Sequence, residues 1–309
     1  MQPKRISVVI PVKNGGRTLD ALLARLCKQE LACESEVLVV DSGSRDDSLE
    51  IASRYPVRVV EVPADEFDHG ETRNRGIRES KGELIALLTQ DAVPTGPDFL
   101  AALTRPFEDP QVAGVYGRQV PRADADVVTR RNLEAWLTGR AQPAVSRLDK
   151  GEWRDLSPMQ RYERCLFDNV CSALRRSSWQ EFPFRAAAFG EDIRWGREVL
   201  RHGWSIAYAP DAAVHHSHRR GVGHEFARTR ICHATLYGLF ELETMPQLRY
   251  LPRVFAANLR QDLPYVLRQT PPGIERLRQL ARVAALSIAS PLAQYLGARD
   301  GRRQAARPS

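Results

Sequence analysis

The sequence predicts an α/β protein: a doubly wound, mainly parallel sheet, then a less regular region and a helical extension at the C-terminal end. Three observations predict it. From Arg5 to Leu88, short β-branched runs alternate with segments of helical period. The acids Asp41 and Asp91 fall just past strand ends, where such a sheet places ligand groups. Beyond about residue 220, strand signals give way to helical ones rich in arginine.

Residues 5–12 are β-branched and carry Pro11; an Asn-Gly-Gly turn follows, then Leu19, Leu22, Leu23 and Leu26 at helical spacing, giving strand, turn and helix. Residues 36–40 repeat the arrangement and close on Asp41-Ser42-Gly43, with Ser44 and Asp47 in capping-box spacing before a helix carrying Leu49, Ile51 and Ala52. A third strand is predicted over 57–62 and a short helix over 72–79, stopped by Lys81-Gly82. The fourth strand, 84–88, is apolar throughout, as a strand covered on both faces should be. After about residue 110 the pattern turns irregular, with a strand around 112–120, helical stretches through the 120s to 160s and a strand near 169–174. Regularity returns with a helix over 190–202, opened by Glu191-Asp192 and closed by Gly203. A strand over 205–209, a turn at Pro210-Asp211 and the run Val214-His215-His216-Ser217-His218 follow. In the remainder, Leu248, Leu251, Phe255, Leu259, Leu263 and Val266 line one helical face, with Arg249, Arg253 and Arg260 away from it.

Composition bounds the function. At 309 residues, 43% hydrophobic and 27% charged, the chain is neither wholly disordered nor a polytopic membrane protein. Its opening apolar run is too short for a secretory leader, contains Pro11 and lacks a cleavage site, so it reads as the first strand. No C-terminal apolar stretch reaches the roughly 20 residues that span a bilayer. The net charge of +7 belongs to the tail: from Arg219 onward there are fifteen arginines, no lysine and six acids. Such a tail suits an anionic lipid surface, whereas no aromatic-basic nucleic-acid module accompanies it and no nucleic-acid partner is expected. Its helices either pack on the preceding region or lie in a membrane interface. The five cysteines, at 27, 33, 165, 171 and 232, lack CxxC or paired metal spacing and read as reduced, buried thiols of a cytoplasmic protein.

No phosphate-binding glycine signature is present, so a nucleotide has to be held by acids, a metal and scattered basic groups. Asp-Ser-Gly-Ser is a turn former in its own right. Two acids in the first turn of a helix complement its dipole by about 0.3–1 kcal/mol, and at a cleft one of them can also take a proton from an attacking hydroxyl. A His-x-His at a strand end is a stronger metal signal than a lone histidine.

VVIPVKN, VVDSGSRDDS, TRNRGIRESKGELIALLTQDA and FGEDIRW, in this order and spacing, resemble the family 2 glycosyltransferases of the GT-A fold over roughly residues 5–220. The resemblance implies a GT-A catalytic domain over 1–220, with a nucleotide-binding half at 1–110 and an acceptor half at 111–220, and leaves 221–309 as a basic helical region outside it. It implies that Asp41 accepts a hydrogen bond from the base of a nucleotide-diphosphate sugar, beside Ser42 and Gly43, with Pro11, Lys13 and Asn14 lining the same pocket. Arg73, Asn74 and Gly76 match the family's RNxG, in which arginine neutralises phosphate and glycine lets the backbone approach. Gln90-Asp91 stands where the family has DxD, with one carboxylate remaining to hold a divalent ion, Mg²⁺ or Mn²⁺, across the diphosphate. His216 or His218 would supply a further ligand, and His216 is favoured. Asp192 would be the general base, with Glu191 beside it. Trp195, one turn on, would stack on an acceptor sugar, although an amphipathic helix equally often buries a tryptophan.

FDHGETRN, LTQDAVP, DNVCSALRRSSW and HHSH resemble the rhamnosyltransferase branch, which implies dTDP-L-rhamnose as donor and places His69 and Gly70 by its sugar or phosphates. The activity implied is inverting transfer to a hydroxyl of a saccharide or lipid-linked acceptor, in the cytoplasm or at the inner face of the cell membrane. The depleted DxD leaves a non-catalytic nucleotide-sugar-binding or scaffold protein as the alternative.

Overall fold

The computed structural model describes residues 5–149, 151–187 and 189–306. They divide into two compact units, the first built from residues up to 120, 136–155 and 164–216, the second from 121–135, 156–163 and 217 onward.

The first unit opens with the alternation read from the sequence: β1 (Arg5–Val12), α1 (Gly16–Leu26), β2 (Glu34–Asp41), α2 (Ser48–Ser53), β3 (Arg58–Glu61), α3 (His69–Glu79) and β4 (Leu84–Leu88). These four strands are parallel, in the order β3-β2-β1-β4. Leu19, Leu22, Leu23 and Leu26 form the buried stripe of α1, and every residue of β4 is buried. Asp68 starts α3 earlier than the pattern predicts, because its side chain accepts from the Gly70 and Glu71 amides and so caps the helix. The capping box expected at Ser44 and Asp47 does not form: α2 begins at Ser48, Asp47 makes no side-chain cap bond, and the Ser44 hydroxyl donates to Asp41 instead.

The sheet continues through β5 (Val93–Pro94), α4 (Phe99–Thr104) and β6 (Val112–Val120). The chain then contributes α5 (Val127–Ala135) to the second unit before returning as β7 (Ala144–Ser146). After α6 (Pro158–Arg164) come β8 (Cys171–Arg175), α7 (Arg176–Glu181), α8 (Glu191–Arg201) and β9 (Ser205–His215). Strand β8 lies antiparallel between β4 and β6, whereas β9 is parallel to β6. The sheet is therefore parallel in its first half and mixed in its second. Because β8 is reversed, its start lies beside the carboxyl end of β4, Cys171 opposite Leu88.

Strand β9 also departs from the expected strand, turn and histidine run. It is one strand, but its register against β6 jumps from Ala209 opposite Gly117 to Ala213 opposite Arg118, so residues 210–212 bulge outward. Gly117 makes this possible, since a Cβ there would lie 2.3 Å from the Ala212 carbonyl oxygen.

In the second unit, α9 (Val222–Phe240), α10 (Leu251–Gln269) and α11 (Ile274–Ala305) accompany α5. Val128, Val266 and Val283 form its buried cluster, with Leu259 and Leu263 against it. Arg131 pairs with Asp262, and Arg282 with Asp126 at 3.5 Å. Leu248, placed on the apolar face by its spacing, precedes α10 and is exposed. Among the described residues no helix is long and apolar enough to cross a membrane. None of the five cysteines is in a disulfide, but only Cys165 and Cys171 are buried; Cys27 is exposed and Cys33 and Cys232 are partly so, which corrects the expectation of buried thiols.

Gly76 sits where α3 crosses the sheet: a Cβ would come within 2.4 Å of Val9 Cγ1 and 2.8 Å of Val40 Cγ2. Its small size serves helix-on-sheet packing instead of approach to a phosphate. Gly76→Ala therefore sets a helix-propensity gain of about 1 kcal/mol against an overpacking cost of about 1–3 kcal/mol. We expect net destabilisation, read as a lower urea midpoint at unchanged m-value; a midpoint at or above that of the parent chain would show that α3 can shift away.

Candidate active site

Three loops meet at the carboxyl ends of β1, β2 and β4. The strand order turns back at β1, with β2 on one side and β4 on the other, and an α/β sheet opens a crevice at such a point. Gln90 latches across it: its Oε1 accepts from the Lys13 amide at 2.8 Å and its Nε2 donates to the Lys13 carbonyl at 3.2 Å. Asn14, in left-handed backbone at φ 53°, donates its amide to Ser44 Oγ and accepts from the Arg45 amide. Asp41 is buried, and its carboxylate accepts from the Gly43 and Ser44 amides, both at 3.0 Å, and from the Ser44 hydroxyl. Ser42 is buried too, its amide donating to the Val12 carbonyl. Asp41 and Ser42 thus shape the turn and are closed to solvent, while Lys13, Asn14 and Gly43 stay open and Pro11 is half-buried.

The residues expected at the donor phosphates divide in the same way. On α3, His69 is exposed and packs edge-on against Phe67, whereas Gly70 is buried beneath the Arg185 carbonyl. Arg73 is buried; its Nη1 lies 2.9 Å from Glu191 Oε1 and donates to the His69 carbonyl. Asn74 accepts from the Trp179 indole at 2.8 Å and the Phe184 amide at 3.2 Å, and donates to the Phe184 carbonyl at 2.7 Å. Asn74 and the Arg73 Nη1 are engaged by protein groups, while Arg73 Nε is buried with no hydrogen-bond partner among the described residues. Of the two partners of Arg73 Nη1, the Glu191 carboxylate holds the start of α8 against α3, while the His69 carbonyl fixes the guanidinium on its own helix.

At that start, Glu191 is buried between Arg73 and Asn169 Nδ2, the latter at 3.2 Å. Asp192 keeps partial exposure; it accepts from the Ile193 amide at 2.8 Å and the Asn169 amide at 3.3 Å. Burial, then the charges of Glu191 and Asp168, push its carboxyl up to about 8, and the two amide bonds only partly oppose this. Trp195 does not line a cleft. It is 3% exposed, packs on Phe167 at 4.5 Å and donates its indole N–H to the Phe182 carbonyl, so the expected acceptor-stacking surface is core.

Asp91, half-buried past β4, faces the end of β9. His216 is tied there by its amide, which donates to the Val120 carbonyl at 3.0 Å, and its Nε2 lies 3.6 Å from Asp91 Oδ1. His218 follows two residues on, and ligand atoms of Asp91, His216 and His218 lie within 4.8 Å of one another. The 3.6 Å separation is long for a hydrogen bond but near the roughly 3.0–3.5 Å between neighbouring ligands each about 2.1 Å from one divalent ion. One carboxylate and two imidazoles suit such an ion. The expected metal residues fit together.

Three residues that motif reading missed join the two clusters. His216 Nδ1 is 2.9 Å from Gln119 Oε1, Gln119 Nε2 donates to Asp168 Oδ2 at 2.7 Å, and the charge of Asp168 reaches Asp192. Asn169, next in the chain, bonds to both Glu191 and Asp192. The one available signal was polarity out of place: Arg118-Gln119 ends the apolar and glycine-rich run of β6, and Asp168-Asn169 stands just before β8. The cavity lined by Ile6, Cys33, Leu84, Phe107 and Arg175 lies at the opposite end of the strands and contributes none of these groups.

Solved structures with this architecture are GT-A glycosyltransferases. The chain superposes on a mannosyltransferase from Pyrobaculum calidifontis, described in complex with GDP-Man and Mn²⁺, with a TM-score of 0.57 at 18% identity, covering 100% of this chain and 77% of that one. It also superposes on glucosyl-3-phosphoglycerate synthase from Mycobacterium tuberculosis, described with Mn²⁺, UDP-glucose and glycerol 3-phosphate, with a TM-score of 0.53 at 20% identity, covering 79% and 82%. Residues 7–181, more than half of the chain, match Glycosyl transferase family 2, and the protein belongs to that family. Among curated relatives, an O-antigen chain rhamnosyltransferase of Salmonella typhimurium is 29% identical over 74% of this chain and 73% of its own length. Another, from Salmonella anatum, is 27% identical over 74% and 72%.

The raised Asp192 carboxyl has a consequence for stability. A proton held more tightly in the folded state than at the ordinary value of 3.8 favours folding at low pH, and that contribution is lost as pH rises through about 8. Asp192→Asn removes the dependence. Its stability relative to the parent chain should therefore climb between about pH 4 and pH 8, whatever its constant offset; urea midpoints that differ by the same amount across that range would contradict the raised value.

Proposed function

We propose that this family 2 glycosyltransferase is inverting and transfers L-rhamnose from dTDP-L-rhamnose to a hydroxyl of a saccharide or lipid-linked acceptor. Residues 1–220 would form its catalytic domain, with 1–110 serving the nucleotide and 111–220 the acceptor, and 221–309 an accessory basic region. The observation that carries the reading is the convergence at one end of the sheet strands of Asp91 with His216 and of Asp192 with Glu191, joined through Gln119 and Asp168. The donor assignment rests on the Salmonella relatives, which are named for rhamnosyl transfer.

Asp192 is the base. An acceptor hydroxyl loses its proton to this carboxylate as its oxygen attacks the anomeric carbon and the bond to the diphosphate breaks, so configuration inverts. A base whose pKa lies near working pH combines proton affinity with a useful ionised fraction. Glu191, paired with Arg73, holds the helix start in place. Lys13, Asn14, Gly43 and His69 are the open groups available to the donor, and Gln90 holds the first of these loops. Asp91, His216 and His218 would hold a divalent ion, and when bound it supplies positive charge to the leaving diphosphate. Mn²⁺ in the two solved GT-A complexes supports that reading.

Contact with a membrane would come from the turn between α10 and α11. Leu267, Ile274 and Leu277 are 49%, 70% and 65% exposed there, among Arg268, Arg276 and Arg278, with Glu275 as the nearby acid. Large exposed apolar side chains beside arginines suit an anionic lipid headgroup layer.

Three measurements test these assignments. Asp192→Asn should lower kcat by about 10²- to 10⁴-fold with donor affinity by calorimetry unchanged, and in the parent chain kcat/KM should rise with pH toward about 8. Near-normal turnover in the variant removes Asp192 from the role, and donor binding without transfer or hydrolysis in the parent chain identifies a binding or scaffold protein. Asp91→Ala should weaken Mn²⁺-supported donor binding, and unaltered affinity removes Asp91 from the diphosphate. Flotation with phosphatidylglycerol vesicles, but not with phosphatidylcholine, should be lost in an Ile274→Asp, Leu277→Asp double variant; equal flotation of both proteins excludes this turn.

A further inference from the structure

The buried amide of Gln119 stands between a carboxylate and an imidazole, and their chemistry leaves it one orientation. Asp168 Oδ1 accepts from the Val170 amide at 2.9 Å and Oδ2 from Gln119 Nε2 at 2.7 Å. An ionised carboxylate has no proton to give, so the Gln119 nitrogen must face it and the Gln119 carbonyl oxygen must face His216, 2.9 Å from Nδ1. A carbonyl oxygen only accepts, so the proton of the neutral ring resides on Nδ1. Whenever the ring is neutral its lone pair is therefore on Nε2, the atom that looks toward Asp91 Oδ1 at 3.6 Å.

We propose that Gln119, held by Asp168, is a positioning residue that fixes His216 in the Nδ1–H tautomer and so keeps Nε2 ready as a ligand atom. The tautomer follows from the bonds on Gln119 alone; its consequence for an ion rests on the metal reading above. Ligating histidines are commonly oriented through their other ring nitrogen by a carboxylate or carbonyl partner. Here the partner is a side-chain amide, and its direction is set one residue further out. That arrangement has an unusual property. Replacing the outer carboxylate by its own amide reverses the whole chain: in Asp168→Asn the new side-chain amide has to turn its oxygen to the Val170 N–H and its NH₂ to Gln119. Gln119 then rotates, presents its NH₂ to Nδ1, and the ring proton moves to Nε2.

The experiment uses the full chain with ¹⁵N-labelled histidine, free of metal. Long-range ¹H–¹⁵N spectra report which ring nitrogen carries the proton, and His216→Gln assigns the signal among the seven histidines. In the parent chain His216 should show protonated Nδ1 and unprotonated Nε2. Asp168→Asn should reverse this pattern, Gln119→Leu should give a mixture of tautomers, and Asp91→Ala should leave the pattern as it is. Mn²⁺ affinity, read from the free-ion electron paramagnetic resonance signal, should fall roughly 10- to 100-fold in Asp168→Asn and less in Gln119→Leu. Circular dichroism confirms that each variant folds, and the second variant keeps the test open if the first does not.

An unchanged tautomer in both variants overturns the proposal, as does parental Mn²⁺ affinity in a variant whose tautomer has reversed. A parent chain that binds no Mn²⁺ while its tautomer still responds overturns the metal reading and leaves the orientation by Gln119 standing.

Discussion

One guanidinium paired with only one of three neighbouring carboxylates is the constraint on which the rest of this site depends. Glu191, Asp192 and Asp168 converge where α8 begins, and Arg73 neutralises Glu191 at 2.9 Å in a buried setting. A buried pair of this kind is a poor source of net stability, yet removing one partner strands a charge in the interior. Its value lies in asymmetry. Two adjacent acids of similar chemistry are separated into a group that is paired and joins α3 to α8 and a second group whose proton is held tightly. The division comes from placement: successive residues in the first turn of a helix point about 100° apart, so only one of them can meet Arg73.

The same placement explains which parts of the protein its sequence discloses. The β1-to-β4 alternation is legible because each element buries its own stripe, and Leu19, Leu22, Leu23 and Leu26 state the inner face of α1 without reference to anything distant. Likewise the acids Asp91 and Asp192 and the histidine run stand in local motifs. The reversal of β8 is not legible, since strand direction is decided by pairing with β4 and β6 and not by the strand's own residues. The pairing of Arg73 is not legible for a related reason: its acid, Glu191, lies more than a hundred residues away on another helix. Trp195 fails differently. Helical spacing gives its direction, but whether that direction meets a crevice or Phe167 depends on the opposite wall.

In the second unit, composition disclosed the arginine-rich surface and periodicity disclosed the Leu259, Leu263 and Val266 stripe, but not the partner of that stripe. Val128 belongs to a stretch between two sheet strands, and it joins Val266 and Val283 only because the chain leaves the first unit and returns. A boundary drawn from composition marks where net positive charge begins; contacts mark where a core is shared, and residues 121–135, whose three arginines are matched by three acids, satisfy the second criterion without the first.

The outward loop of β9 at residues 210–212 has a reach beyond its own neighbourhood. Parity governs a strand: a shift of one residue turns every side chain to the other face. Downstream of the loop the chain reads His215, His216, Ser217, His218, so the loop's length selects which of these meets Asp91. Lengthening or shortening it by a single residue would offer a serine or the wrong histidine to that aspartate while leaving the local sequence untouched. Natural variation in this stretch should accordingly be intolerant of odd changes in length, a form of selection that motif comparison does not register.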